Sequence, residues 1–250
     1  MDAEELMSRR ARSFGPTAAA YAEHRPDYPA DGIRWGLAAA TGEVTRVLDL
    51  AAGTGKLTGG LLALGVAVTA VEPDVAMLAE LTERFPAARA VAGRAERIPL
   101  PDGAVDAVTV GQAFHWFDRD AALPEIARVL RPGGALAALW NREDDSVEWV
   151  AAMGRFARSS VTQGWPADYP LFDGAHFEAG EKARFPHEHR RTADSLTATI
   201  GTQSHTLVVS DEERALVLGR TRDYLGSRPE TASGEFVMPL VTTVLRGRRR

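Results

Sequence analysis

The chain contains no cysteine. That absence excludes disulfides, thiolate catalysis and cysteine-ligated zinc, so a metal would have to rely on histidine and carboxylates. Long apolar runs are missing as well. The longest uncharged stretch, residues 57–71, is broken by Gly59, Gly60 and Gly65 and is shorter than the ~18 residues of a membrane span. Met1-Asp2-Ala3-Glu4-Glu5 opens on acids, with no apolar signal-peptide core before Arg9 and Arg10. The expectation is a cytoplasmic protein with no membrane partner. Positive charge is not in excess either: 29 Lys and Arg stand against 34 Asp and Glu, a net charge of −5. That balance argues against a broad nucleic-acid-binding surface. The basic run Arg246-Gly247-Arg248-Arg249-Arg250 is the local exception and reads as a solvated end.

With 250 residues and 45% hydrophobic content, the chain can bury a sizeable core as a single domain, residues 1–250. From residue 46 onward strand and helix patterns alternate. Residues 46–50, 66–71 (ending at Glu72), 90–92, 105–110 and 135–140 read as strands. Residues 56–64 read as a helix, and so does the stretch entered at Pro73-Asp74, with Met77, Leu78, Leu81 and Phe85 on one face. A further helix, residues 120–130, is closed by Arg131-Pro132-Gly133-Gly134. Strands joined by helices predict an α/β fold, a mostly parallel sheet with helices on both faces. Residues 142–175 lose that pattern and carry Trp149, Phe156, Trp165, Tyr169 and Phe172, which suggests a helical cap or insertion. Strands near 182–190 and 235–245 follow, with helices near 192–200 and 211–225. His187 and His189 share one strand face and, without a third ligand nearby, read as surface residues, so no metal is expected.

The run from Val47 to Gly55 ends a strand in a glycine turn, and Glu72 ends the next strand. Glycines at 53 and 55 let backbone approach a ligand, and a carboxylate at the second strand tip suits ribose hydroxyls. A phosphate-binding P-loop is excluded, because Leu57 follows Gly55-Lys56 and Leu stands at 50. A dinucleotide loop would place its third glycine at 58, where Thr stands. Asp49 would repel pyrophosphate but suits a ligand bearing an ammonium or sulfonium. Capping of the following turn is its alternative role.

Asp49-x-Ala51-x-Gly53-x-Gly55 resembles the first motif of class I S-adenosylmethionine-dependent methyltransferases. Val71-Glu72-Pro73-Asp74, residues 95–102, Gly111-Gln112-Ala113-Phe114-His115-Trp116-Phe117 and residues 128–134 fit later motifs in order. Phe14-Gly15, Ala18, Tyr21 and Arg25-Pro26-x-Tyr28-Pro29 are similar to the trans-aconitate methyltransferase-like, type 11 branch. The resemblance implies a Rossmann-like, seven-stranded fold with N-terminal lid helices in residues 1–40, a cofactor-binding core in 46–141, and a cap with the last strands in 142–250. It further implies S-adenosylmethionine as cofactor, leaving as S-adenosylhomocysteine. The backbone at Ala51 and Gly53 would pass beneath the methionine portion, Gly55 would complete the cofactor-binding turn, and Asp49 would orient the amino group. Glu72, with Pro73 after it, would take the ribose. Ala95 and Glu96 would meet the adenine, Gln112 would offer its main chain, and Tyr21 and Arg25 would close over the cofactor, Arg25 on its carboxylate. Two positions depart from the pattern: Ala51 stands where glycine is commonest, and Arg94 stands where many relatives carry Asp. Arginine cannot accept a hydrogen bond from adenine.

The expected reaction is in-line methyl transfer to a small organic acceptor, at a carboxylate or hydroxyl oxygen, by a monomer or homodimer. A carboxylate needs no base, whereas a hydroxyl does, and His115 is then the candidate. His115 has a second reading as a wall of the pocket, beside Tyr28, Trp116, Trp140 and Asn141. An alternative function is a protein that binds the cofactor without transferring its methyl group and acts through a partner.

Overall fold

A computed structural model describes residues 25–162, 172 and 174–250. The chain divides into two compact units. The first gathers Asp27–Asn141, Thr242–Arg250 and the described part of Asp168–Phe185; the second gathers Pro186–Val241 and the described parts of Met1–Pro26 and Arg142–Ala167.

One sheet of seven strands carries the fold: β1 (Arg46–Leu50), β2 (Ala67–Glu72), β3 (Arg89–Ala92), β4 (Val105–Gly111), β5 (Leu130–Glu143), β6 (Glu181–Arg191) and β7 (Phe236–Arg248). Their order is β3-β2-β1-β4-β5-β7-β6, and the first five run parallel. Helix α1 (Ala30–Leu37) precedes the first strand, and α2 (Lys56–Ala63), α3 (Val75–Arg84) and α4 (Arg119–Val129) connect the first five. Parallel strands covered on both faces read as nearly continuous apolar runs. Accordingly Val47, Leu48 and Leu50 of β1 are fully buried. Val47 packs with Ile33 and Leu37 of α1 and with Leu57 and Leu61 of α2, so α1 is a layer of the core.

The last strand is where sequence and structure part. Gly133 N–H donates to Arg249 O (3.1 Å), Arg249 N–H to Gly134 O (2.8 Å), and Asp144 N–H to Pro239 O (3.0 Å). Rising numbers on β5 meet falling numbers on β7, so β7 is antiparallel and the sheet is mixed. Two expectations are corrected here. Arg131–Gly134 belongs to β5, which begins at Leu130 rather than at Ala135. The terminal arginines are not a solvated end, because β7 carries Arg246 and Arg248 between two strands and the Arg249 backbone pairs with Gly133 and Gly134. Arg246 pairs with Glu181 and stacks on Trp35, 3.9 Å from the ring centroid, and Arg248 pairs with Glu178.

The second unit adds α5 (Glu148–Phe156), α6 (Ala193–Gly201), α7 (Ser204–Leu207) and α8 (Asp211–Gly226). Val150, Met153, Leu196, Ile200, Val217 and Leu225 form its core, with Trp149 edge-on to Phe236 and Phe156 stacked on Tyr224. His187 and His189 lie half-buried on the inner face of β6 rather than at the surface, and burial lowers the pKa of His187. Trp165 and Tyr169 lie outside the described residues, while Phe172 packs on Phe177 in the first unit. Among the described residues no helix is long and apolar enough to cross a membrane.

Candidate cofactor site

The turn after β1 owes its shape to three left-handed residues, Ala51 (φ +56°), Gly53 (φ +57°) and Gly55 (φ +88°). Ala52 N–H donates to Val71 O (3.1 Å) and Gly55 N–H to Ala52 O (3.0 Å), which folds the turn back against β2. The two glycines serve different ends. A Cβ on Gly53 would meet only Met77 Sδ at 3.8 Å, leaving the backbone open to a ligand, whereas a Cβ on Gly55 would lie 2.6 Å from Phe85 Cδ2. Gly55 therefore lets α2 start against the end of α3.

Asp49 is fully buried beneath this turn. Thr58 Oγ1 donates to Asp49 Oδ2 at 2.6 Å, while Asp49 Oδ1 and the nearby Thr54 Oγ1 are buried with no hydrogen-bond partner. Burial pushes the Asp49 pKa up to about 7, with the Thr58 bond working against it and Glu72 adding to it. A sealed carboxylate with one unpartnered oxygen fits a cationic ligand, because a nearby positive charge offsets the cost of its burial.

Glu72 ends β2 with 6% of its surface exposed. Gly53 N–H donates to Oε2 and Asp74 N–H to Oε1, both at 2.9 Å. Burial raises the Glu72 pKa, and the two N–H groups hold the rise down. Each oxygen keeps a lone pair, so the fixed carboxylate can take two vicinal hydroxyls. Pro73 is exposed, and Asp74 caps α3 by accepting from Ala76 N and Met77 N.

Beyond β3, Ala95 is buried, and Glu96 Oε1 accepts from Asp118 N–H at 3.2 Å, at the start of α4. Arg94 is exposed and its carbonyl accepts from Arg97 N–H. At the end of β4, Gln112 is left-handed (φ +57°); its N–H donates to Leu139 O and its Nε2 to Asn141 O, both at 2.8 Å. His115 lies in a short 3-10 turn, Phe114–Trp116, with its ring 4.4 Å from that of Trp116. Trp140 Nε1 donates to His115 Nδ1 at 3.4 Å. An indole nitrogen only donates, so Nδ1 is the unprotonated nitrogen of this imidazole and Nε2 carries the proton.

Asn141 is a joint. Its Nδ2 donates to Asp27 O (3.0 Å) and its Oδ1 accepts from Thr242 Oγ1. Lys56 Nζ lies 3.1 Å from Asp27 Oδ1, so the residues after Pro26 are held through both main chain and side chain. Tyr28 OH occupies the space where a Cβ on Gly111 would fall, at 2.6 Å.

The parallel pairings β1–β2 and β1–β4 bring the carboxyl ends of these strands to one sheet edge, where open α/β sheets bind ligands. Asp49 at the end of β1, the turn of Ala51, Gly53 and Gly55, and Glu72 at the end of β2 meet there, and Tyr28, Gln112, His115, Trp116, Trp140 and Asn141 gather around the ends of β4 and β5. Arg25 belongs to the second unit and donates through Nη2 to Thr202 O at 3.1 Å. Tyr21 lies outside the described residues. Among the described residues no group of three histidines or acids is arranged to hold a metal. Sequence reasoning missed Thr58, Thr54, Lys56, Asp27 and Thr242. Only Thr58 left a signal, a hydroxyl where a dinucleotide loop would have its third glycine.

A parallel sheet ordered 3-2-1-4-5, a mixed extension on its far side, a buried acid under the first turn and a fixed carboxylate at the second strand define a class I methyltransferase. Comparison with known proteins agrees. The family model described as "Methyltransferase domain" matches residues 48–138. Over 242 residues the chain is 38% identical to an uncharacterized methyltransferase of Mycobacterium tuberculosis, covering 94% of each chain. It is 43% identical over 210 residues to an uncharacterized methyltransferase of Schizosaccharomyces pombe, covering 81% of this chain and 84% of that one. A solved structure described as a type II methyltransferase from Anaeromyxobacter dehalogenans matches with a TM-score of 0.59 at 27% identity, covering 90% of this chain and 96% of that one. The chain belongs to the class I, type 11 family of S-adenosylmethionine-dependent methyltransferases.

Proposed function

We propose that this enzyme moves the methyl group of S-adenosylmethionine onto a carboxylate oxygen of a small organic acid. The observation that carries the cofactor is the sealed Asp49 with its unpartnered Oδ1, paired across the turn with the Glu72 carboxylate held by two backbone N–H groups. A charged amino or sulfonium end and a ribose match these two acids in turn. When bound, the cofactor supplies an electrophilic methyl group on a cationic sulfur, already activated. The residues present are then asked for alignment and desolvation. Asp49 attracts positive charge, Glu72 orients hydroxyls, and the left-handed backbone at Ala51 and Gly53 removes side chains from the approach.

The choice of a carboxylate rests on His115. Its basic nitrogen faces the Trp140 indole N–H, and the nitrogen left over carries a proton in the neutral ring. Such an imidazole serves as a wall or as a donor, and does not deprotonate a hydroxyl. A carboxylate is already ionised and needs no base. The net charge of −5 supports a small acceptor over nucleic acid.

The test is methyl transfer from cofactor carrying a labelled methyl group to a panel of small carboxylic acids, followed by mild alkali. A methyl ester releases the label as methanol, and an ether does not. Alkali-stable product would overturn the carboxylate assignment, and loss of turnover in His115→Gln with unchanged cofactor affinity would restore His115 as a base.

A further inference from the structure

We propose that the second unit contains an oxyanion-binding site centred on Arg191, which no motif of the methyl-transfer site includes. Arg191 ends β6 with 7% of its surface exposed, yet its guanidinium has no hydrogen bond and no ion pair among the described residues. Arginine is almost never buried without a partner, since taking its charge out of water is costly.

The surroundings make the cost greater. Alternation along the strand places His187, His189 and Arg191 on the inner face, so this end of that face carries two imidazoles, one guanidinium and no acid; Glu181, at its far end, is exposed and paired with Arg246. Glu188 lies on the opposite, exposed face. Asp194, the next acid along the chain, is exposed and paired with Arg222 at 3.1 Å. The neighbouring cation is Arg25, close enough to disfavour charge on Arg191 in addition to the effect of burial. Two guanidiniums, one of them buried, thus disfavour each other's charge, and no protein carboxylate among the described residues is bonded to the buried one. An anion resolves both the repulsion and the burial, and one guanidinium fork gives a carboxylate or phosphate two parallel N–H bonds. Arg191 is not completely closed off: none of its nitrogens, which lack partners among the described residues, is among the sealed unpartnered side-chain atoms. The ligand is a small molecule bearing an oxyanion.

The proposal does not depend on methyl transfer and is tested without it. Calorimetric titration of the full chain at low ionic strength with succinate and with inorganic phosphate separates a carboxylate from a phosphate ligand. Binding of either is expected, weakened at least tenfold in Arg191→Gln and less in Arg191→Lys. Thermal unfolding gives a readout that a structural role would move the other way. Arg191→Met should raise the Tm of the ligand-free protein and abolish the stabilisation that the bound probe gives to the unsubstituted chain. Failure of both probes to bind, equal binding by Arg191→Gln, or a fall in ligand-free Tm in Arg191→Met would each overturn the assignment.

Discussion

Thr58 gives its hydroxyl proton to Asp49 across 2.6 Å and thereby commits one carboxylate oxygen, leaving the other sealed and unpartnered. The helix that follows the glycine turn thus fixes the rotamer of the acid beneath the turn. A buried acid in this state is stable when protonated, or when a cation comes to it.

The first prediction concerns pH. Asp49 has a folded-state pKa near 7, above its ordinary value of 3.8. The folded state therefore holds this proton more tightly than the unfolded chain, and the associated stability is full below about pH 4 and is lost as pH rises through 7. Ionising Asp49 without a ligand costs on the order of 4 kcal/mol at full extent. Asp49→Asn removes that cost but leaves an amide N–H2 unsatisfied, at about 1–3 kcal/mol. In urea unfolding of cofactor-free protein the variant should be more stable than the parent at pH 8 and less stable at pH 3.5. Cofactor affinity of the parent should fall as pH drops below 7, by up to about tenfold per pH unit, and level off above 7; the variant should show neither the affinity nor the slope. A pH-independent affinity in the parent would remove Asp49 from the site.

Much of this site is legible in the chain because its parts are local. A strand end, a left-handed turn and the acid at the next strand tip follow from Asp49, Gly53, Gly55 and Glu72 in order, since φ preferences and strand length act within a few residues. Thr58 is less legible, because a threonine in a helix has several uses and its partner is chosen only when the turn closes. Arg246 to Arg250 mislead for a different reason. Five residues rich in arginine look solvated by composition, and only pairing with Gly133 and Gly134, over a hundred positions away, turns them into strand. Asn141 and Asp27 meet through the same kind of distant closure.

Ala51 stands where glycine is commonest in the motif, and its φ of +56° gives the reason for that preference. An L-residue in the left-handed region is strained by about 1–2 kcal/mol, part of which is returned by the smaller entropy of the unfolded alanine chain. Ala51→Gly should therefore stabilise the protein by up to ~1 kcal/mol and leave cofactor affinity within about twofold, as measured by urea unfolding and calorimetry. A destabilised Ala51→Gly would mean that the alanine methyl group makes contacts worth more than the strain.

Gly53 and Gly55 should respond differently to the same substitution. Gly55→Ala meets both a left-handed φ of +88° and the Phe85 ring at 2.6 Å, and should lose about 2–4 kcal/mol of stability. Truncating the ring opens that space, so Gly55→Ala combined with Phe85→Ala should cost less than the two single losses added together. Gly53→Ala has room for its methyl group but takes on a left-handed φ of +57°, so it should lose about 1–2 kcal/mol of stability, less than Gly55→Ala, and weaken cofactor binding as well. Strict additivity of the Gly55 and Phe85 substitutions in a double-mutant cycle would show that backbone strain alone explains the glycine.

Asp106 holds the opposite edge of the same strands. It is buried and accepts from Thr45 N–H (3.0 Å), Arg46 N–H (2.8 Å), Thr45 Oγ1 (3.1 Å) and Arg131 Nε (2.9 Å). Burial alone would raise its pKa, but the two N–H groups, the Arg131 guanidinium and the Thr45 hydroxyl outweigh it and hold the carboxyl well below the usual range. A depressed folded pKa contributes stability that is present above the unfolded value, near 4, and is lost as pH falls toward the folded one. Asp106→Asn should lose about 3 kcal/mol at pH 7, because Arg131 is left facing an amide in place of a carboxylate. Asp106 ties its own strand β4 to β1 and β5 at the edge away from Asp49 and Gln112, so cofactor affinity measured on the folded variant should be unchanged. The stability gap between variant and parent should shrink steadily below pH 4, read by urea unfolding at pH 7, 4 and 2. A gap that stays constant down to pH 2 would assign the effect to packing and remove the charge from the account.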